Sequence, residues 1–186
     1  DVKVRYKQTA LGAAWALLQP AFTMIVFSVI FGGLVGVPSE GAPYPVFVLA
    51  GLLPWQLFSA ALTQASTSLL SHENMIRKVY FPRLVLPLST VLSSLVDFAV
   101  SLLLLVALLA WFGVVPGWRV VALPLFVGVA AAAALSVALW LSALTARFRD
   151  FRYTLPFLAQ AWLFVTPVLY PSSLIPARWQ PLFGLN

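Results

Sequence analysis

Five apolar runs, separated by short polar or charged segments, dominate the hydropathy pattern of the chain. They cover approximately residues 11–31, 46–70, 88–112, 120–144 and 154–170. A helix rises about 1.5 Å per residue, so an apolar run of about 20 residues matches the thickness of the hydrocarbon core of a bilayer. The pattern therefore predicts an all-α, polytopic transmembrane helical bundle with five spans. A transmembrane barrel would show alternating segments of about 10 residues, and the sequence has no such pattern.

The composition also indicates a membrane protein. The chain is 62% hydrophobic and 9% charged, with a mean hydropathy of +0.98, which excludes a soluble domain with a polar surface. It contains no cysteine, so it has neither a disulfide framework nor thiol chemistry. The net charge of +6 does not indicate nucleic-acid binding, because the basic residues are spread between the apolar runs.

The basic residues predict how the spans are oriented. Nine of the eleven Lys and Arg residues fall in segments that alternating spans would place on one side of the membrane. By the positive-inside rule that side is cytoplasmic, so we predict a multi-pass protein of the cytoplasmic (inner) membrane with a cytoplasmic N-terminus. The nine are Lys3, Arg5, Lys7, Arg77, Lys78, Arg83, Arg147, Arg149 and Arg152, and the other two are Arg119 and Arg178.

The segment 71–87, SHENMIRKVYFPRLVLP, lies between two long apolar runs and must sit in water beside the membrane. It alternates charges with large apolar side chains and is long enough for a short helix closed by proline. Two interpretations are open. Met75, Ile76, Tyr80 and Phe81 among the charges could form a docking knob for a partner, or the aromatic side chains could dip into lipid headgroups.

Polar residues form a stripe along the second apolar run. Gln56, Ser59, Thr63 and then Ser66 or Thr67 recur at three- and four-residue steps, which places them on one face of a helix. The stripe is either the wall of a hydrated path or a set of hydroxyls that bond back to their own or a neighbouring helix, and we favour the second interpretation.

Two further features lie inside the spans. Asp97 is a carboxylate within the third run, where it is costly unless it is paired, protonated or hydrated. It is either a functional group, such as the proton site of an ion-coupled carrier, or a hydrogen-bonding group in helix packing. In the alanine-rich fourth run, Gly128, Ala132 and Ser136 follow one another at four-residue spacing and predict close helix contact, within or between subunits.

Sites for chemistry are absent from the sequence. It contains no GxxxxGK[ST] phosphate loop, so we do not expect this chain to hydrolyse ATP. The single His72 has only Glu73 beside it, which predicts a surface residue and no metal site. Because the spans offer Asp97 as their one titratable group, an embedded acid–base enzyme is not expected. We therefore predict a transport subunit with no catalytic, cofactor or metal site.

Several long strings resemble a known family, the membrane-spanning permease subunit of type-2 ATP-binding-cassette exporters, in the branch that exports polysaccharides and polyol phosphates. The resemblance covers essentially the whole chain. The strings are VRYKQTALGAAWALLQP at 4–20, FVLAGLLPWQLFSAAL at 47–62, NMIRKVYFPRLVLPLS at 74–89, ALTARFRDFRYTLPFLAQAW at 143–162 and TPVLYPSSLIPARWQ at 166–180.

The resemblance implies a half-transporter that forms a homodimer and binds two cytoplasmic ATPase subunits, which hold ATP and Mg²⁺, to export a lipid-linked glycan. Its six spans exceed the five seen here. We therefore interpret residues 1–186 as one transmembrane permease domain that lacks the extreme N-terminus and the last span. Whether the glycan is O-antigen, capsule or teichoic-acid-like is left open.

The resemblance also assigns roles along the chain. Residues 171–181 correspond to short outer helices that cap the exit. Arg5, Tyr6 and Lys7 belong to an interfacial lead-in helix on the cytoplasmic surface. The helix that couples to the ATPase comprises Glu73, Asn74, Met75, Ile76, Arg77, Lys78, Tyr80, Phe81, Pro82 and Arg83.

A glycan path needs hydroxyl and amide partners and flat aromatic faces for sugar rings. The candidates are Trp55, Gln56, Ser59, Thr63, Asp97 and Trp162, facing a central path in the homodimer. The partners expected are thus the ATPase, a second copy, the glycan and membrane lipid, without nucleic acid. Rival functions are a related exporter of small molecules or drugs, the ion-coupled carrier that uses Asp97 and, more distantly, a membrane-embedded glycosyltransferase.

Overall fold

A computed structural model of the chain describes residues 14–34, 36, 42–78, 80, 82–148 and 150–166. Within these ranges the regular elements are all helices, which confirms the predicted all-α bundle. They are α1 (Ala14–Phe27), which continues as a π-helix (Ser28–Leu34), α2 (Tyr44–Ser71), α3 (Glu73–Lys78), α4 (Val85–Trp111), a 3₁₀ turn (Trp118–Ala122), α5 (Leu123–Arg147) and α6 (Phe151–Val165).

Four of these segments are long and apolar enough to cross a membrane. They are Ala14–Leu34, Tyr44–Ser71, Val85–Trp111 and Trp118–Arg147, and they confirm the first four predicted spans. The chain is therefore a multi-pass membrane protein. The fifth predicted span corresponds to α6, whose 15 described residues extend about 22 Å. Residues 167–170 of that prediction, and the predicted outer helices at 171–181, lie outside the described residues.

Local sequence explains where the helices begin and end. Pro43 and Pro45 stand at the start of α2, where the amides have no helical partner and proline loses no hydrogen bond. α4 ends at Trp111, and two residues later Gly113 has a φ of +65°, in the left-handed region that glycine adopts without strain. The Val114 N–H donates to the Leu109 carbonyl at 2.9 Å and closes the helix end.

Helix α2 is the centre of the bundle and contacts α1, α4, α5 and α6. Its main seam, which we call the alanine seam, joins it to α5. There Ala61 and Ala65 pack with Ala131, Ala134 and Ala138, and all five are buried. On another side, Leu49, Leu53 and Leu57 of α2 form a cluster with Met24 of α1 and Phe98 of α4. Small side chains let membrane helices approach closely, and this packing drives their association.

The contact face of α5 differs from the predicted one. Gly128, Ala132 and Ser136 are exposed, so this stripe does not pack against the other helices within the described residues. The alternative, that it packs between subunits, stays a prediction. The three alanines of the seam lie on another face of the same helix. The alanine-rich sequence of α5 offers small side chains on several faces, and its composition does not single out the face that α2 contacts.

The outer surface of the described helices is apolar. Large side chains are strongly exposed on α1, α4 and α5, where water would be unfavourable and lipid is the compatible solvent. Trp111 and Trp118 flank the turn between α4 and α5 and are both strongly exposed, as expected for aromatic residues at a membrane interface.

Candidate functional site: a docking loop and a polar cavity

The connection between α2 and α4, which we call the α2–α4 loop (residues 72–84), begins with a cap. His72 ends α2, where its backbone N–H donates to the Ser68 carbonyl at 3.2 Å and its Nδ1 lies 2.9 Å from the same oxygen. The Ile76 N–H then donates to the His72 carbonyl at 3.0 Å and starts α3. His72 is half-buried, with a capping role that its place in the sequence did not indicate.

Helix α3 is the short helix predicted for this segment. Glu73 occupies its first turn, where a negative charge interacts favourably with the positive end of the helix dipole. Lys78, Tyr80, Pro82 and Arg83 follow, and all four side chains are exposed. Ile76 is half-buried. The side chains of Asn74, Met75, Arg77 and Phe81 lie outside the described residues, as do Arg5, Tyr6 and Lys7.

A cavity of about 540 Å³ lies among α1, α2 and α4, and we call it the α1–α2–α4 cavity. It brings together five of the six predicted path residues, whereas Trp162 is not part of its lining and only the neighbouring Leu163 of α6 reaches it. The polar and aromatic residues that line it are Trp15, Gln19, Thr23, Trp55, Gln56, Ser59, Thr63, Gln64, Ser94, Asp97, Phe98 and Ser101.

Three hydroxyl groups of the polar stripe, those of Thr63, Ser66 and Thr67, bond back to their own helix. Thr63 Oγ1 donates to the Ser59 carbonyl at 2.7 Å, and Thr67 Oγ1 donates to the Thr63 carbonyl at 3.0 Å. Ser66 makes the equivalent bond to Leu62. These three back-bonds agree with the second interpretation. Because Gln56, Ser59 and Thr63 also line the cavity, the path interpretation stays a prediction. Because a hydroxyl oxygen keeps acceptor capacity after donating its proton, Thr63 still presents an acceptor where it lines the cavity.

Ser101 of α4 compensates for a proline in α1. Pro20 has no N–H, so the carbonyl four residues earlier, at Ala16, loses its helical donor. The Ser101 hydroxyl donates to two backbone carbonyl oxygens, that of Ala16 at 3.1 Å and that of Asp97 in its own helix at 2.9 Å, and its single proton is shared between them. This hydroxyl from a neighbouring helix supplies the missing donor, which is how membrane helices tolerate proline. It also ties α1 to α4 at the cavity wall.

Comparison with known proteins identifies the family. A family model described as ABC-2 type transporter matches residues 1–186. The chain belongs to the ABC-2 type transporter family.

Relatives of this ABC-2 chain are named as export or transport proteins. It is 35% identical over 176 residues to the O-antigen export system permease protein RfbA of Myxococcus xanthus, a match that covers 94% of this chain and 66% of that protein. It is 30% identical over 187 residues to a protein of the same name from Klebsiella pneumoniae, covering 100% of this chain and 71% of that protein. It is 24% identical over 204 residues to the Polysialic acid transport protein KpsM of Escherichia coli, covering 98% and 73%. The ABC-2 chain thus spans about two thirds of the length of these relatives.

Part of the cavity of the ABC-2 chain was missed by sequence reasoning. Trp15, Gln19 and Thr23 recur at four-residue steps on α1. Ser94 and Ser101 flank Asp97 on α4 at three- and four-residue steps. The periodic signal that revealed the stripe on α2 is thus present on both neighbouring helices, and applying it to every span would have found these residues.

Proposed function

We propose that this chain is the permease subunit of an ATP-driven exporter that moves a lipid-linked polysaccharide across the cytoplasmic membrane. The family match and the names of the relatives support this assignment. The observation that carries it is the α2–α4 loop, in which a short helix and the fully exposed Tyr80 stand between two spans, flanked by Lys78 and Arg83. An exposed aromatic anchor with a charged rim is suited to a protein partner.

The partner is a cytoplasmic ATP-binding-cassette subunit that holds ATP and Mg²⁺. Docking through Glu73–Arg83 couples it to the bundle because the loop joins α2 and α4 directly. Since α2 contacts α1, α4, α5 and α6, a displacement of its loop end reaches both the alanine seam and the cavity wall. ATP-driven closure of the partner then favours one of two arrangements of the spans, and transport follows from the alternation.

The orientation follows from charge. The exposed cations Lys78 and Arg83 lie in the α2–α4 loop, and the exposed Arg147 and Arg152 flank the connection between α5 and α6. Alternating spans place both connections on the same side, which the positive-inside rule assigns to the cytoplasm. The N-terminus is then cytoplasmic as well. A homodimer carries the glycan, and membrane lipid covers the remaining apolar surface.

The experiment that tests this function is co-purification of the tagged full-length permease from its native membrane in mild detergent. We expect a stoichiometric ATP-hydrolysing subunit to accompany the wild type. A variant with Tyr80→Asp and Phe81→Asp should lose it, because two charges replace the aromatic anchor. The control is Tyr153→Asp, which introduces one aspartate at another exposed tyrosine, on α6, and should retain the partner; Tyr80→Asp alone is its matched single variant. Absence of any ATPase from the wild-type preparation would overturn the proposal.

One observation favours a second function, an ion-coupled carrier, because Asp97 lines the cavity. A carboxylate in a polar cavity within the spans is a potential proton site. The two functions differ in their source of energy. Collapse of the proton gradient at constant cellular ATP should leave an ATP-driven exporter active and stop an ion-coupled carrier. Inactivation of the ATPase subunit should stop the exporter and leave the carrier active.

A further inference from the structure

We propose that the α1–α2–α4 cavity is a saccharide subsite within each protomer, in which Gln19, Gln56, Gln64 and Asp97 bind sugar hydroxyls and Trp55 packs against a sugar ring. The inference rests on the proposed export function and extends it. It places sugar contacts inside one chain, whereas the sequence alone suggested only a central path between two chains.

The size of the cavity suits this ligand. Its volume of about 540 Å³ lies within the range of roughly 300–1,000 Å³ that is typical of small-molecule pockets. It has room for part of a glycan and not for a folded polymer. A subsite of this size would bind a short stretch of the chain at a time, for example the sugars nearest the lipid.

The polar groups match a sugar in chemistry. A primary amide has two N–H donors and a carbonyl acceptor, and a sugar hydroxyl both donates and accepts. Gln19 lies on α1 and Gln56 and Gln64 on α2, so amides reach the cavity from two of its walls. The third wall adds the carboxyl group of Asp97, which as a carboxylate accepts hydrogen bonds from neighbouring hydroxyls.

The same groups argue against other occupants. An acyl chain would leave the amides of Gln19, Gln56 and Gln64 facing hydrocarbon, which is costly for each polar group. A tightly bound Ca²⁺ ion typically has more than one carboxylate ligand, and Asp97 is the single carboxylate in the lining. The aromatic part of the lining is informative as well. Trp55 is half-buried on α2, one residue from Gln56, and its flat face suits the apolar side of a sugar ring.

The subsite is tested by photo-crosslinking in cells that contain the full-length permease and its ATPase. We place p-benzoylphenylalanine at Ser59, which lines the cavity but is not one of the proposed binding groups. The control position is Trp140, which is exposed on α5 away from the cavity. The probe is the cell's own lipid-linked polysaccharide, labelled with tritiated glucose, and the readout is a light-dependent labelled adduct on the permease.

A matched pair of substitutions makes the test specific. Gln56→Leu removes an amide from the cavity, and Gln160→Leu makes the same change at an exposed position of α6 outside the lining. Losing the hydrogen bonds of one side chain weakens binding by about tenfold. We therefore expect the adduct at position 59 to fall about tenfold with Gln56→Leu and to be unchanged with Gln160→Leu. Yield and monodispersity in detergent check that both variants fold.

The outcomes separate the two proposals. A labelled sugar adduct at 59, absent at 140 and lost with Gln56→Leu, supports the subsite. Two results overturn the subsite alone, provided that the ATPase still co-purifies. One is an adduct at position 59 that contains only phospholipid, and the other is the absence of a sugar adduct at position 59 together with normal export by Gln56→Leu. If no ATPase co-purifies with the wild-type permease, and deletion of the permease leaves surface polysaccharide unchanged, the proposed export function is overturned and the subsite with it.

Discussion

The two opposite faces of helix α2 have different designs. On one face Ala61 and Ala65 are fully buried against α5. On the other face Gln56, Ser59 and Thr63 line a cavity of about 540 Å³. At 100° per residue, the alanine pair and the polar set lie about half a turn apart. Small apolar side chains allow close packing without a cavity, whereas Gln56, Ser59 and Thr63 present an amide and two hydroxyl groups to the cavity. Helix α2 can therefore pack tightly against α5 on one face and border the α1–α2–α4 cavity on the other.

The largest effect is expected from breaking the seam with Ala65→Leu. Ala65 has 0% exposure, so the larger side chain has no room. Overpacking a core lowers the free energy of unfolding by about 1–3 kcal/mol. The thermal midpoint of the purified protein in detergent should fall. Ala132→Leu adds the same atoms on the exposed face of α5 and should change the midpoint little. Equal losses for the two variants would show that the seam is not the tight contact.

A smaller effect is expected from Ser101→Ala. This change removes the hydroxyl that donates to the Ala16 carbonyl, the group that has no helical donor because of Pro20. Interhelical hydrogen bonds in membrane proteins contribute about 0.6 kcal/mol on average, so the loss of stability should be of that order. The thermal midpoint measures it.

The control for this change is Ser136→Ala, because the Ser136 hydroxyl donates to Ala133 within its own helix at 2.8 Å. Ser101→Thr keeps a hydroxyl at the cavity wall and should restore most of the stability. If Ser101→Ala and Ser136→Ala have the same midpoint, the bond to α1 contributes nothing.

The smallest effect is expected from Thr63→Val on the cavity face. The side chain keeps its shape, and the hydroxyl proton that is lost had been donated to the Ser59 carbonyl of the same helix. The free energy of unfolding should stay within about 0.5 kcal/mol of the wild type. Polysaccharide export, measured at the cell surface, should also be retained, in contrast to Gln56→Leu. A loss of export as large as that of Gln56→Leu would place the Thr63 oxygen among the sugar contacts.

Much of the architecture was predictable because it depends on local properties. Hydropathy summed over a run of residues located the four spans, since the cost of placing a segment in lipid adds up along that segment. The short helix α3 followed from the alternation of charged and apolar residues after Ser71, and it ends at Lys78, four residues before the proline that was expected to close it. The back-bonding of Thr63 and Thr67 also follows from the helix alone, since each acceptor is four residues earlier.

Contacts between helices were less predictable, because they depend on which faces meet. Small residues on several faces of α5 made Gly128, Ala132 and Ser136 as plausible a contact as the neighbouring face that packs, and the choice comes from the alanines of α2. Gln19, Gln56 and Asp97 are separated by up to 78 residues (97 − 19) and share a cavity because α1, α2 and α4 pack together. Hydropathy and spacing describe each helix by itself. The rotation of one helix against another, and with it the cavity, results from packing that involves all of them.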